Sequence, residues 1–89
     1  MKESYLEVTY RHGQPLAAYF YLPRRARQKS ARTRRVEPGL IIDLTATGQP
    51  LGIEITAPTL VTLTILNRVL RDLGCPPIRR ADIAPLRAA

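Results

Sequence analysis

Apolar and polar residues alternate in four stretches of the chain before residue 57. The clearest pair is residues 40–44 and 51–55, where an apolar residue recurs at every second position. Such period-two alternation is typical of strands with one buried face. Gly48 and Pro50 lie between the two stretches, where glycine can adopt positive φ and proline cannot donate to a ladder. The pattern predicts a hairpin whose loop covers residues 45–50.

Two more alternating stretches precede this hairpin. Residues 5–10 and 16–22 flank the turn sequence His12-Gly13-Gln14-Pro15. Their aromatic and β-branched residues suit a pleated surface, and Pro23 ends the second stretch because it lacks an amide hydrogen. The sequence therefore predicts strands at about residues 5–10, 16–22, 33–44 and 51–56.

Residues 58–73 have helical periodicity. Pro58 suits a first helical turn, and Gly74 followed by two prolines suits a helix end. Val61 and Ile65 widen the apolar arc beyond what one small sheet face covers. We expect these two residues either to contact a partner or to complete the core. Residues 76–89 are predicted to form a loosely docked tail, because Pro85 interrupts any helix that begins near Arg80.

Together these elements predict an α+β fold. We expect a four-stranded antiparallel β-meander, with the strands adjacent in chain order and one C-terminal helix packed on the apolar face. The predicted apolar face consists of Leu6, Val8, Phe20, Leu22, Ile42, Leu44, Ile53 and Ile55. The predicted opposite face consists of Tyr5, Glu7, Thr9, Tyr19, Tyr21, Asp43 and Glu54.

Residues 5–57 also carry a family resemblance. The segments that carry it are Ala17 to Leu22, Pro38-Gly39, Ile42-Asp43-Leu44, Gly48 and Gly52-Ile53-Glu54-Ile55. They resemble the domain of unknown function 2283 family of small bacterial proteins. Leu16 and Thr45 stand where that family usually has acidic residues. Because the family is uncharacterised, the resemblance implies a fold rather than an activity, and an antitoxin-like role follows by analogy only.

Composition limits the class of protein. The chain has 89 residues, of which 45% are hydrophobic. This predicts a single small domain whose modest core favours self-association, as a homodimer, or binding to a small protein partner. The single cysteine, Cys75, fits a reducing compartment and is expected to be a filler rather than a reactive thiol. Neither a signal peptide nor a membrane span is apparent, so we expect a cytoplasmic protein with no membrane partner.

The net charge of +7 comes from one segment. Residues 23–35 contain seven basic residues and no acidic one, and we expect a loop there. Three interpretations remain open: phosphate contacts with nucleic acid, docking on an acidic protein partner, or simple solvation. The candidate binding residues are Arg24, Arg25, Arg27, Lys29, Arg32, Arg34 and Arg35.

No catalytic set is apparent. Asp43 and Glu54 could face each other across the central hairpin, but a solvated sheet face with tyrosine or arginine partners is the simpler interpretation. His12 and Cys75 lie too far apart in the sequence to suggest a metal site. We therefore expect no enzymatic activity, no cofactor, no metal and no small-molecule substrate. The leading hypothesis is a non-enzymatic interaction module, and the alternative is nonspecific nucleic-acid binding through residues 24–35.

Overall fold

The fold is known from a computed structural model that describes residues 3–23 and 28–87. One antiparallel sheet of five strands, with helical segments after it, confirms the α+β class. The strands are β1 (Tyr5–Arg11), β2 (Gln14–Tyr21), β3 (Arg32–Glu37), β4 (Leu40–Leu44) and β5 (Pro50–Ile55). Their order across the sheet is β1-β2-β5-β4-β3.

This strand order shows that the predicted meander is wrong. The last strand lies between the β1–β2 hairpin and the β3–β4 hairpin and pairs with both β2 and β4. In the predicted meander the arginine-rich stretch would have joined a strand that lies beside β2, inside the sheet. At the edge, the cationic side chains of β3 stay solvated and discourage pairing with further strands.

The predicted single strand over residues 33–44 is also wrong, because it contains a turn. Pro38 and Gly39 connect β3 to β4, and Gly39 adopts a φ of +84°. The Thr56 amide donates a 2.9 Å hydrogen bond to the Gly39 carbonyl, so this turn is attached to the chain that leaves β5. Part of the expected basic loop, from Arg32 onward, is therefore strand.

The first hairpin agrees with its prediction to within two residues at each end. His12 and Gly13 form its two-residue turn, with φ values of +52° and +76°. Positive φ at both positions is the requirement of a type I′ turn, whose twist matches that of the flanking strands. The register shifts between Thr9 and Tyr10, where Pro15 is the partner of Tyr10. A proline without an amide hydrogen is tolerated at such an irregularity.

The predicted helix over residues 58–73 is divided into two pieces. Pro58–Leu60 form a short 3₁₀-helix, and the α-helix, α1, covers Leu63–Asp72. Thr62 separates them because its backbone is extended and its hydroxyl accepts the Ile65 amide at 3.1 Å, which is an N-cap.

The C-terminal end of α1 is as predicted. Gly74 has a φ of +75°, its amide donates to the Arg71 carbonyl, and the Cys75 amide donates to the Leu70 carbonyl at 2.8 Å. This pair of bonds is a Schellman motif, which satisfies carbonyl groups that the helix end leaves unpaired.

The helical segments pack on one face of the sheet. All eight residues of the predicted apolar face lie in the core or pack against it. Val61 is fully buried, so it completes the core and the proposed partner contact at Val61 is wrong. Its backbone is extended at the break between the first 3₁₀-helix and α1, and its side chain belongs to the core cluster. Ile65 is half-buried and packs against the same core.

The expectation of a loosely docked tail is wrong for residues 76–87. Asn67 clamps this segment, since its side chain donates to the Ile78 carbonyl at 3.0 Å and accepts the Ile78 amide at 2.8 Å. A C-terminal 3₁₀-helix, Arg80–Arg87, follows and contains Pro85. Ile83 and Leu86 are buried in the core. Their spacing of three residues places both on one side of a 3₁₀-helix.

The docked segment yields a stability prediction. Replacing Ile83 with Ala should lower the free energy of unfolding by about 2–5 kcal/mol, because it leaves a cavity in the core. Replacing the exposed Arg80 with Ala should change it by about 0.5 kcal/mol or less. Urea unfolding followed by circular dichroism measures both variants. Equal, small effects would mean that the C-terminal segment does not belong to the cooperative core.

Candidate interaction surface

The sheet has a second face, which we call the open face. Its side chains alternate with those of the core, and the helical segments of the described chain pack on the other side. Strand register places a row of residues across it, from β1 at one edge to β3 at the other. In strand order this row is Glu7, Tyr19, Glu54, Ile41 and Arg35.

Three tyrosines, which we call the tyrosine cluster, dominate one half of the open face. The rings of Tyr5 and Tyr21 stack with centroids 4.4 Å apart, and Tyr19 tilts against Tyr21 at 4.6 Å. The Tyr19 hydroxyl donates to the Asp43 carboxylate at 2.7 Å, and the Tyr21 hydroxyl donates to Glu7 at 3.2 Å. These contacts hold the three rings together as an aromatic surface that extends from β1 over β2 to β5.

Gly52 makes this arrangement possible. Tyr19 on β2 reaches Asp43 on β4 by crossing β5, and its ring lies directly over Gly52. A Cβ atom at position 52 would lie only 2.2 Å from Cε1 of Tyr19. Glycine is therefore needed here because the Tyr19 ring approaches the backbone closely, and not because of the backbone conformation at this position.

The two carboxylates that could have formed a catalytic pair are not opposite each other. Asp43 faces Gly52 and Glu54 faces Ile41, because the register of β4 and β5 offsets them along the strands, with the Ile42–Ile53 pair between them. Asp43 instead accepts the Tyr19 hydroxyl, as the simpler interpretation expected. Among the described residues there is no group of three or more metal-ligating side chains.

The candidate basic residues that the structure describes are dispersed rather than gathered. Arg24, Arg25 and Arg27 lie outside the described residues. Lys29 is exposed on the connection to β3, and the Arg32 guanidinium donates to the Ala46 carbonyl on the β4–β5 loop.

The two remaining arginines of the set lie on opposite sides of the sheet. Arg34 pairs with the core residue Ile42 and lines a small cleft beside Asp72 of α1. Arg35 pairs with Ile41 and is exposed on the open face. Among the described residues of the basic segment 23–35, Arg35 is thus the basic residue that lies on the same face as the tyrosine cluster.

Other places in the molecule offer less chemistry. A cleft of about 730 Å³ lies between the start of α1 and the C-terminal 3₁₀-helix. Its lining consists of Thr62, Leu63, Thr64, Arg80, Ala81, Ile83 and Ala84, with no carboxylate or thiol. Burial raises the pKa of the Cys75 thiol, which keeps it protonated and weakly nucleophilic near neutral pH.

Sequence reasoning identified most of the open face but missed Gly52 and Ile41. Both could have been found from the pattern. The run Leu40-Ile41-Ile42 places an apolar residue on the face that should be polar, and Gly52 falls on the face that carries the tyrosines. A glycine beside large aromatic residues on one sheet face indicates that a ring lies over the backbone.

Comparisons of the chain with protein-family models, with curated proteins and with solved structures find no match. The resemblance over residues 5–57 therefore stays a prediction. None of the helices in residues 3–23 and 28–87 is long and apolar enough to cross a membrane.

The contact between Tyr19 and Gly52 can be tested by a double-mutant cycle. Gly52→Ala should cost about 1–3 kcal/mol of stability, because the Tyr19 ring must be displaced. In a Tyr19→Ala background the same change should cost little, since alanine suits a strand better than glycine.

Gly48→Ala is the matched control for this cycle. Gly48 has positive φ, and a Cβ atom added there would meet open space. The loss of stability caused by Gly48→Ala should therefore be the same with and without Tyr19. Chemical unfolding of the variants measures the coupling. A Gly52→Ala cost that does not depend on Tyr19 would disprove the proposed reason for the glycine.

Proposed function

We propose that this chain is a non-enzymatic interaction module that binds protein through its open face. The observation that carries the proposal is the tyrosine cluster, held on a sheet face while the described helices pack on the other face. Tyrosine is enriched in protein interfaces because it combines a large apolar ring with a hydrogen-bonding group. Ile41, half-buried between Glu54 and Arg35, adds an aliphatic contact at the far side of the same face.

The β3 edge of the sheet is less suited to binding. β3 presents Arg32, Arg34 and Arg35 along its length, and charged edge strands discourage strand addition. The helix surface is also weakened as a candidate, because Val61 is buried and Ile65 is partly covered by the core. The proposal therefore moves the contact from the helix to the face of the sheet.

Site-specific photo-crosslinking tests this proposal with a control inside the chain. Tyr5 on the open face and Tyr10 on the helical side are 48% and 46% exposed. Tyr10 donates a hydrogen bond to the Pro85 carbonyl in the C-terminal 3₁₀-helix, which places it on the opposite side of the sheet. A photoreactive phenylalanine analogue is placed at one of these positions at a time in expressing cells.

We expect protein adducts from position 5 and few from position 10, because only the first lies on the proposed binding face. Denaturing electrophoresis and mass spectrometry identify the adducts. Equal yields from both positions, or adducts from position 10 alone, would contradict the proposal.

Nucleic-acid binding is the second candidate, and one observation favours it. The segment that carries the net charge leads into β3, where Arg35 shares a face with stacked tyrosines, and basic and aromatic residues together bind single strands. Against it, Glu7, Asp43 and Glu54 lie on the same face and repel phosphates. Protein binding is therefore the better supported function.

A salt titration separates the two functions. If four of the basic residues contact phosphates, the logarithm of affinity should fall with the logarithm of salt with a slope of about −3 for single strands and about −3.6 for duplex. Replacing Arg24, Arg25, Arg27 and Lys29 with Ser should then remove most of the slope.

The control for this titration replaces four exposed arginines elsewhere, Arg11, Arg71, Arg79 and Arg80, and should retain the slope. Fluorescence anisotropy with a labelled oligonucleotide measures the binding. Absence of binding at low salt, or equal losses in the two variants, would reject specific use of the basic segment.

A further inference from the structure

We propose that the open face binds a second copy of this chain, stacked face to face so that β1 of each copy lies over β3 of the other. The inference rests on the proposed function and names its partner. It follows from the strand order, the register and the positions of charge on the open face.

Two symmetric arrangements stack the open faces of two copies so that the strands of one sheet run nearly along those of the other. A twofold axis that runs along the strands reverses the strand order, so β1 lies over β3, β2 over β4, and β5 over β5 of the second copy. A twofold axis that runs across the strands keeps the order, so each strand lies over its own copy. Closed pairs of identical chains use one such axis, and both arrangements are compatible with aligned sheet packing.

Charge selects the first arrangement. Glu7 lies at the β1 edge of the open-face row and Arg35 at the β3 edge. Reversal of the strand order puts Glu7 of each copy over Arg35 of the other and forms two opposite-charge contacts. The other axis puts Arg35 over Arg35 and Glu7 over Glu7, and like charges at an interface oppose association.

The same reversal also matches the apolar groups. The backbone of Tyr19 on β2 lies over that of Ile41 on β4 of the second copy, and the Tyr19 ring extends over Gly52 toward the axis. The Tyr19 rings and the Ile41 side chains of both copies therefore lie near the axis and form the apolar centre of the interface, while Glu7 and Arg35 lie at its rim. An apolar centre within a polar rim is the usual anatomy of a protein interface.

One residue opposes this arrangement. Glu54 on β5 lies in the same row, next to the axis, so the two Glu54 side chains approach each other. The arrangement therefore predicts that neutralising Glu54 strengthens the dimer. An association driven only by attraction between acidic and basic surfaces would instead weaken when an acidic residue is lost.

The size of the face indicates a weak dimer. Five strands about 4.8 Å apart and about six residues long give a face of roughly 24 by 20 Å, so two copies bury on the order of 1,000 Å² together. This area is at the lower limit for specific association. The dimer should form in the micromolar range or above and should depend on concentration.

Charge exchange between two variants tests the arrangement. Arg35→Glu makes both rim positions acidic, and Glu7→Arg makes both rim positions basic. Each variant alone should be at least tenfold weaker in self-association than the wild type, while an equimolar mixture should form a heterodimer. Analytical ultracentrifugation measures the three samples, and circular dichroism confirms that each variant is folded.

Arg71→Glu on the exposed side of α1 is the control and should dimerise like the wild type. Glu54→Gln should dimerise more tightly than the wild type. Failure of the mixture to associate, or weaker association of Glu54→Gln, would overturn the arrangement.

The outcome is separable from that of the proposed function. If the wild type stays monomeric at millimolar concentration but position 5 crosslinks to a different protein, the second copy is rejected and protein binding through the open face stands. If the chain stays monomeric and position 5 forms no adduct, both proposals are rejected.

Discussion

The fold depends on the burial of β5 at the centre of the sheet. Leu51, Ile53 and Ile55 are fully buried, and β5 pairs with a strand on each side. Because one face of this strand needs an apolar cover, α1 and both 3₁₀-helices gather on that side. The arginine-rich strand, which cannot supply apolar cover, lies at an edge.

The open face follows from the same constraint. The helical segments of the described residues cover one face of the five strands. The other face is organised by side chains alone: stacked tyrosines, two hydroxyl–carboxylate bonds, and a glycine that lets Tyr19 cross β5. This rigid polar and aromatic surface is where we place the function.

The sequence predicted local features well where one physical signal dominated. Alternation identified the core face of every predicted strand, and Gly74 identified the end of α1. The predicted start of the helix was too early, because a proline such as Pro58 is typical of a first helical turn. That turn is a 3₁₀-helix, and the α-helix begins after its N-cap, Thr62. The buried pair Ile83 and Leu86 was missed because Pro85 masks their spacing of three residues.

Strand order was not predictable in the same way. Residues 33–44 were predicted to form one strand, because the apolar and β-branched residues on both sides of Pro38-Gly39 suit a sheet. Insertion of β5 between β2 and β4 is a non-local pairing that no short segment encodes. The face of the tyrosines was predicted by alternation, but their contacts with each other and with Gly52 depend on that insertion.

The central claim is that two copies of this chain bind each other through their open faces, and fluorine NMR of the chain labelled with 3-fluorotyrosine tests it directly. The four tyrosines report on both sides of the sheet, since Tyr10 contacts the C-terminal 3₁₀-helix while Tyr5, Tyr19 and Tyr21 lie on the open face. Over a dilution series from millimolar to micromolar, the account predicts that the three open-face resonances shift or broaden while that of Tyr10 stays constant. A shift of Tyr10 with the other three unchanged, or four resonances that do not depend on concentration, would contradict it.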